Sequence, residues 1–152
     1  MMIRKIRKRD YPAVNRLLLQ LHHMDVANRP DLFSPLESYM PKDSFESLID
    51  NPNVISILAQ EKGQVVGCCF VSMLQRSGMK PMTSAYIDLL VVDEPYRHQG
   101  IGRALFQEVQ RRAKKIGAQR IDLTVWDYNQ TAIQAYRSYG MHPQRSVYEI
   151  HI

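Results

Sequence analysis

The sequence predicts an α/β fold, a mixed sheet flanked by helices on both faces, and three segments of the C-terminal half carry this prediction. An apolar segment, 85–92, rich in β-branched residues at its end, leads through a glycine loop into an amphipathic helix with apolar positions at helical spacing. A second apolar segment, 120–126, and another helix, 131–139, follow. Because strands joined through a crossover helix pair in parallel, we expect 85–92 and 120–126 to form a central parallel pair.

The N-terminal half supplies the remaining elements. Residues 2–6 are predicted to form a first strand, and Asp10 is predicted to cap a helix that has one apolar face. Pro12 fits only in the first turn of that helix, where its missing N–H has no intrahelical partner in any case. The apolar face comprises Val14, Leu17, Leu18 and Leu21.

Residues 22–41 are polar and interrupted by prolines, which predicts an irregular segment. A short helix around 45–49 and a hairpin of strands 54–60 and 65–74 are predicted next. At the end of the chain, residues 146–152 alternate in polarity, which predicts a closing strand that is also able to pair across a homodimer.

The length, composition and charge of the chain limit the classes of protein to which it can belong. With 152 residues, 45% of them hydrophobic, the chain is predicted to form a single domain over 1–152. No apolar stretch has the length that spans a bilayer, and the basic segment 4–9 lacks the apolar run of a signal peptide, so we expect a cytoplasmic protein with no membrane partner. The net charge of +5 is not accompanied by a nucleic-acid-binding motif, so no nucleic-acid partner is expected.

Cysteine and histidine residues give no indication of a metal site. Cys68 and Cys69 are adjacent in a predicted strand and point to opposite faces, which disfavours a disulfide and a metal pair. His22 and His23 diverge by about 100° on a helix, so they do not easily share one ion, and we predict no metal. Nearby acidic residues are instead candidates to attract a cationic amine: Asp25, Asp31 and Glu37.

The glycine loop, residues 97–102, has the character of a phosphate-binding site. The first N–H groups of a helix that begins near Gly102 have no intrahelical acceptor, and the helix dipole adds partial positive charge there, which attracts anions. Gly100 and Gly102 remove Cβ atoms that would hold a phosphate away, and Arg97 adds a cation with forked donors. The loop therefore predicts a phosphorylated ligand.

Two other interpretations of this loop are weaker. A tight turn with a purely structural role explains two glycines but not their context. A dinucleotide-binding loop would place an acidic residue about 20 residues downstream, where Asp122 occurs, but Leu105 occupies the third glycine position and Asp122 lies inside its strand. The loop is also not followed by the lysine of a nucleotide-hydrolysing P-loop.

Two motifs occur in order, in segments 92–102 and 129–141, and together they resemble the GNAT superfamily of acyl-CoA N-acetyltransferases. The first is similar to that family's Arg/Gln-x-x-Gly-x-Gly/Ala loop. The second is similar to its Asn-x-x-Ala-x-x-x-Tyr-x-x-x-Gly-Phe helix, with Met141 in place of the phenylalanine. The resemblance covers residues 84–142 and implies a GNAT-like fold that uses acetyl-CoA as co-substrate.

The resemblance also implies roles for individual residues. Backbone amides in the loop would hold the coenzyme A diphosphate, and the strand backbone before the loop would pair with the pantetheine amides like an extra strand. Asn129 would contact the pantetheine arm, and Tyr136 would lie beside the thioester sulfur. The implied cofactor-binding residues are Leu90, Val91, Val92, Arg97, His98, Gln99, Gly100, Ile101, Gly102, Arg103 and Asn129.

The implied reaction is direct attack of a neutral amine on the acetyl carbonyl, which requires a base for the amine and an acid for the departing thiolate. Tyr136 is our candidate acid, because a phenol with an ordinary pKa of about 10 retains its proton at neutral pH. The alternative is that Tyr136 only packs on the apolar face of its helix.

Asp88 is our candidate base, since a carboxylate among apolar neighbours has a raised pKa. Strand alternation predicts that it shares a face with Tyr86 and Leu90. The alternatives are an ordinary charge pair at Asp88, and Asp122 or an ordered water as the base.

We therefore expect an enzyme that moves the acetyl group of acetyl-CoA to a primary amine of a small molecule. An alternative acceptor is a protein N-terminus or lysine. Relatives that acetylate a ribosomal-protein N-terminus carry a glutamate where this chain has Thr124, which disfavours a peptide. A non-catalytic module that binds acyl-CoA is a further alternative.

Overall fold

A computed structural model of the protein describes residues 1–76 and 78–152. One sheet contains, in chain order, the strands β1 (Met2–Lys5), β2 (Val54–Glu61), β3 (Gln64–Leu74), β4 (Ser84–Val92) and β5 (Arg120–Leu123). The helices are α1 (Tyr11–Asn28), α2 (Lys42–Asp50), α3 (Ile101–Ile116) and α4 (Gln130–Ser138). The predicted α/β fold with a mixed sheet is confirmed.

Neighbouring strands are antiparallel from β1 to β4, whereas β4 and β5 are parallel because α3 connects them. The predicted parallel pair is confirmed, but it lies at one edge of the sheet and not at its centre. β5 ends at Leu123 instead of continuing to Trp126, and the last parallel pair joins Leu123 to Ile87. Residues 88–92 of β4 therefore continue without β5 beside them.

Two apolar clusters cover the two faces of the sheet. On one face the sheet packs against α3 through Leu105, and on the other it packs against α1 through Leu18 and α2 through Phe45. Cys68 and Cys69 are fully buried in opposite clusters, as strand alternation predicts. The helices thus lie on both faces, and the loop between β4 and α3 leads from the sheet to one helical layer.

β4 carries a bulge at Asp88. β3 pairs with Ile87 and with Leu89, so Asp88 is an extra residue that has no partner on β3. Ile87 and Leu90 consequently both pack in the cluster on the α3 side, which strict alternation would not allow. The prediction that Asp88 shares a face with both Tyr86 and Leu90 is therefore wrong, because the bulge reverses the alternation between those two residues.

α1 differs from the prediction at both ends. The Asp10 carboxylate does not cap the helix; it accepts two bonds from the Arg4 guanidinium at 2.8 and 2.9 Å and one from the Arg7 N–H at 2.7 Å. Pro12 lies in the first turn, as predicted. The helix continues to Asn28, into the segment predicted to be irregular, because the chain has no proline between residues 12 and 30.

No helix in the described ranges combines the length and the apolar character needed to cross a membrane.

The predicted closing strand at residues 146–152 does not form in the described chain. The segment is exposed and has no strand beside it. A strand needs a neighbouring edge that satisfies its N–H and C=O groups, and in the described chain this segment pairs with neither edge strand of the sheet, β1 or β5.

Candidate active site

The loop between β4 and α3 presents a row of backbone N–H groups. It follows a 3-10 turn at Glu94–Tyr96, and positive φ angles at His98 (61°) and Gly100 (83°) direct the chain into the helix. The first helical bond runs from the Ala104 N–H to the Gly100 carbonyl at 3.0 Å. Within residues 1–76 and 78–152, no N–H from His98 to Arg103 donates to a backbone carbonyl. These groups and the helix dipole together form a site for an anion.

Asp93 anchors the start of this loop to α1. Its buried carboxylate accepts a bond from Arg16 at 3.0 Å and one from Gln20 at 2.8 Å, and Gln20 also accepts a bond from the Glu94 N–H at 3.3 Å. Burial opposes the charge, but these hydrogen bonds outweigh it and hold the pKa of the Asp93 carboxyl below its ordinary value. These side chains hold the start of the loop and leave the N–H groups from His98 to Arg103 free.

Arg97 and the two glycines of the loop also have structural roles. The Arg97 Nε donates to the Val92 carbonyl at 3.0 Å, which ties the loop to the end of β4. Gly100 has a left-handed φ that glycine adopts without strain, and a Cβ there would meet nothing within 4 Å. A Cβ at Gly102 would lie 3.1 Å from the Tyr139 hydroxyl, so this glycine allows α3 to approach the end of α4.

The free edge of β4 lies next to the loop. Leu90 and Val92 pack in the cluster on the α3 side, and Val91 packs in the cluster on the α1 side. Their side chains therefore belong to the core, and their backbone is what remains for hydrogen bonding on the edge that β5 does not cover. An extended ligand is able to pair with such an edge as a strand would.

α4 carries the two other predicted residues, Asn129 and Tyr136. The Asn129 Oδ1 caps the helix by accepting from the Ala132 N–H at 3.2 Å, which leaves its amide NH₂ as a donor. Tyr136 is half-buried and packs edge-on against Tyr139, with ring centroids 6.2 Å apart. Burial, with smaller contributions from Cys69 and Tyr139, raises the pKa of the Tyr136 phenol. The phenol therefore keeps its proton at neutral pH, and packing and proton donation are compatible.

Asp88 is held at the bulge by Ser72 of β3. The Ser72 hydroxyl donates to the Asp88 Oδ2 at 2.6 Å. Desolvation raises the pKa of Asp88, and the hydrogen bonds from Ser72 oppose this rise without cancelling it. A carboxylate with a raised pKa is a stronger base and is suited to accept a proton near neutral pH.

Asp122, the alternative base, accepts hydrogen bonds from other side chains. Its side chain is 8% exposed, and its Oδ1 accepts bonds from Arg120 and Gln144, both at 3.1 Å. Arg76 lies 3.9 Å from its Oδ2. These partners occupy the Asp122 carboxylate, whereas the Asp88 carboxylate accepts a side-chain bond from Ser72 alone among the described residues, so the geometry favours Asp88 as the base.

Aromatic residues lie near Asp25, and one of them, Tyr39, also lies near Asp88. Burial raises the pKa of the Tyr39 phenol, and the charges of Asp25 and Asp88 add to the rise. The Tyr128 hydroxyl donates to Asp25, and Trp126 stacks on Tyr128 with ring centroids 5.7 Å apart. The sequence analysis identified Asp25 but missed Tyr39, Trp126 and Tyr128. Of these, only Trp126 had a signal in the sequence, since it is the single tryptophan.

The sequence model of the acetyltransferase (GNAT) family matches residues 18–141. An L-ornithine N5-acetyltransferase from Arabidopsis thaliana is 28% identical over 140 residues, which cover 87% of this chain but only 59% of the plant protein. An L-amino acid N-acetyltransferase from Escherichia coli is 29% identical over 143 residues, which cover 91% of this chain and 80% of the bacterial protein.

A solved structure agrees with these matches over the whole chain. The crystal structure of a mutant of the BH1408 protein from Bacillus halodurans has a TM-score of 0.95 at 28% identity, covering 100% of this chain and 99% of that one. The family match spans most of the chain and includes the glycine loop and the motif of α4. The chain belongs to the GNAT family of acetyltransferases.

Proposed function

We propose that the protein transfers the acetyl group of acetyl-CoA to a primary amine of a small molecule by direct attack. The observation that carries the proposal is the row of free N–H groups from His98 to Arg103, which lies next to the uncovered edge of β4. A diphosphate followed by an extended amide-containing arm has the chemistry that fits both features.

The residues that hold the co-substrate act mainly through their backbone. The N–H groups of His98, Gln99, Gly100, Ile101, Gly102 and Arg103 bind the diphosphate. The Arg97 N–H donates to the Glu94 carbonyl at 3.3 Å, so Arg97 holds the turn that precedes them. Leu90, Val91 and Val92 offer strand-like hydrogen bonds to the pantetheine amides, and the free NH₂ of Asn129 donates to the same arm. No metal takes part in this proposal.

Two side chains move protons. Asp88, directly or through a water, accepts a proton from the attacking amine, whose nitrogen lone pair forms the new bond to the acetyl carbonyl carbon. The resulting tetrahedral intermediate collapses as its carbon–sulfur bond breaks. Tyr136 donates its proton to the departing thiolate, which leaves as the free thiol.

The acceptor surface supports a small cationic amine. Asp25 and Asp88 supply negative charge near the Tyr39 ring, an environment that favours an ammonium before it is deprotonated. The Trp126 ring is already covered by the Arg29 guanidinium, 5.3 Å from its centroid, so the substrate cation is assigned to the Tyr39 side. Two relatives act on small amines by name, L-ornithine in one case and L-amino acids in the other. We place the reaction in the cytoplasm, without a nucleic-acid partner.

Calorimetry and a thiol-release assay test this proposal together. We expect acetyl-CoA and coenzyme A to bind, and pantetheine, which lacks the diphosphate, to bind at least about a hundredfold more weakly because several hydrogen bonds to a charged group are lost. Equal affinity for pantetheine would place the diphosphate elsewhere. Free thiol is expected with a panel of small primary amines; tight binding without thiol release from any amine or peptide would instead indicate a non-catalytic binding module.

A further inference from the structure

His22 of α1 is a buried polar side chain to which the proposed reaction gives no role. It is 8% exposed, whereas the next residue of the helix, His23, faces solvent. Its Nε2 lies 2.7 Å from the carbonyl oxygen of Ser34. Because a carbonyl oxygen only accepts hydrogen bonds, Nε2 carries a proton here and donates to that oxygen. His22 therefore ties α1 to the segment that follows this helix.

The segment 29–41 connects α1 to α2 without helix or strand of its own. Its end is held by α1, since the Tyr39 N–H donates to the Asn15 Oδ1 at 2.9 Å. In the part of the chain that the structure describes, the bond from His22 is the one hydrogen bond that joins an α1 side chain to residues 30–37. This bond therefore fixes the middle of the segment.

The His22 ring also contacts two aromatic rings of the same segment. Phe33 meets it edge-on, with ring centroids 5.8 Å apart and ring planes at 87°. Tyr39 meets it in the same way, at 6.2 Å and 78°. Edge-to-face pairs at such separations are a preferred arrangement of aromatic groups. One imidazole thus holds both rings in place.

Both rings belong to the side of the site proposed for the acceptor amine. Tyr39 lies near Asp25 and Asp88, so its ring borders the place proposed for the substrate cation. Phe33 continues this aromatic surface to Trp126, against which it packs edge-on with centroids 5.9 Å apart. A displacement of the two rings would change the surface on which the amine binds.

His22 has no comparable contact with the side of the site proposed for the co-substrate. Within residues 1–76 and 78–152, none of its hydrogen bonds or ring contacts reaches the glycine loop or α4. We therefore expect a change at His22 to affect the amine and to leave acetyl-CoA binding as it is.

We propose that His22 is a positioning residue for the acceptor amine, which fixes the segment 29–41 so that Phe33 and Tyr39 form one side of the amine site. This role rests on the proposed function and adds to it the residue that shapes the acceptor side. His22 acts through the two rings, so its loss weakens amine binding and leaves the proposed acid and base in place.

Steady-state kinetics with a reactive amine test this role. His22→Phe keeps a flat ring but removes the N–H donor, and we expect KM for the amine to rise at least about threefold, as for loss of one buried hydrogen bond. The kcat and the acetyl-CoA dissociation constant should each change less than about twofold. His22→Gln, whose amide nitrogen is able to donate to the Ser34 carbonyl, should restore KM to within about twofold of the natural value.

His23→Phe makes the same change at the exposed neighbouring histidine and is the matched control. It should keep the natural KM for the amine. A folded His22→Phe variant with the natural KM, or one in which acetyl-CoA binding weakens as much as amine binding, would overturn the proposal. A His22→Gln variant no better than His22→Phe would do the same.

Phe33→Leu disturbs the ring contact from the side of the segment and tests the role even where His22→Phe does not fold. We expect it to raise KM for the amine without changing acetyl-CoA affinity. In the double variant, the two increases should combine to less than their product, because both substitutions disrupt one contact. Increases that multiply in full would show that the two side chains act separately, contrary to the proposal.

The fluorescence of Trp126 tests the position of the segment without the reaction. Trp126 is the single tryptophan and contacts the segment through Phe33. We expect acrylamide to quench it more strongly in His22→Phe than in the natural chain, His22→Gln or His23→Phe. Equal quenching in all four proteins would show that His22 does not hold the segment. A natural chain that transfers acetyl to no amine would instead overturn the proposed function, whereas active transfer with an unchanged KM in His22→Phe would overturn only the role of His22.

Discussion

At the residue scale, the proposed acid and base both have raised pKa values, and in both cases desolvation is the largest cause. The rise in pKa has a different consequence for each of the two groups. A raised pKa keeps the proton on the Tyr136 phenol until a thiolate develops, whereas it makes the Asp88 carboxylate a stronger proton acceptor. Desolvation therefore strengthens Asp88 as a base, and it keeps Tyr136 protonated at neutral pH while making it a weaker acid.

Tyr136→Phe removes one hydroxyl and keeps the packing against Tyr139. We expect kcat for acetyl transfer to fall about a hundredfold or more, as for loss of a general acid, with little change in acetyl-CoA affinity. Thiol release and calorimetry measure the two quantities. Tyr11→Phe, which loses a bond to the Met40 carbonyl between α1 and α2, is the control and should keep its activity. Unchanged turnover in Tyr136→Phe would assign the proton to another donor.

Ser72→Ala should move the acidic limb of the kcat/KM profile to higher pH. The Ser72 hydroxyl donates to Asp88 and lowers its pKa, so removing the bond raises that pKa further. Because the base acts only when it is ionised, activity is then lost at a higher pH as the solution is acidified. Ser56→Ala, at a serine whose hydroxyl has no partner among the described residues, is the control. A limb that does not move in Ser72→Ala would argue against Asp88 as the base.

At the scale of elements, the proposed site lies where regular secondary structure is interrupted. The bulge in β4 makes Asp88 an extra residue, free of the pairing with β3. The early end of β5 leaves residues 88–92 of β4 uncovered, and the left-handed turn at His98 and Gly100 opens the start of α3. An uninterrupted sheet and a fully capped helix would satisfy the same backbone groups internally and leave none to bind a ligand.

Asp93→Asn should loosen the loop from α1. The change removes the charge that accepts bonds from Arg16 and Gln20, so we expect the free energy of unfolding to fall by about 1–3 kcal/mol. Acetyl-CoA should bind more weakly because the loop is less well positioned. Urea unfolding and calorimetry measure both effects, with the exposed neighbour Glu94→Gln as a control of equal charge change. Equal effects of the two substitutions would show that net charge, and not the anchor, is responsible.

At the scale of the whole molecule, polar contacts tie α1 to the sheet and to the loop before α3. Asp93 links the loop before α3 to α1 on the opposite face. Arg4 of β1 holds Asp10 at the start of α1 through two hydrogen bonds. These polar links supplement the two apolar clusters, which bury most of the sheet.

The Arg4–Asp10 pair predicts how stability depends on pH. Hydrogen bonding to Arg4 lowers the pKa of Asp10 from its ordinary value of 3.8, so the pair stabilises the fold fully above that value and loses its effect as the pH falls through the lowered pKa. We expect Asp10→Asn to reduce the free energy of unfolding by about 2 kcal/mol at pH 7. The difference from the natural chain should close in strong acid, as followed by urea unfolding. A difference that is independent of pH would show that shape, and not charge, matters at this position.

Short-range patterns along the chain predicted β1 to β4, the start of β5, α3 and the glycine loop, because periodicity and turn residues act within a few positions. The crossover helix between β4 and β5 predicted their parallel order. The same reasoning could not predict the bulge at Asp88, because a bulge is a mismatch in the pairing of two strands and neither strand's sequence shows it by itself. It also missed Tyr39 and Tyr128, because segments far apart in the chain meet at Asp25 and Asp88 only when α1 and the end of β5 pack on one face. The prediction of a closing strand at 146–152 was wrong for a related reason. Alternation makes a segment able to pair, but only tertiary or quaternary structure supplies the edge with which it pairs.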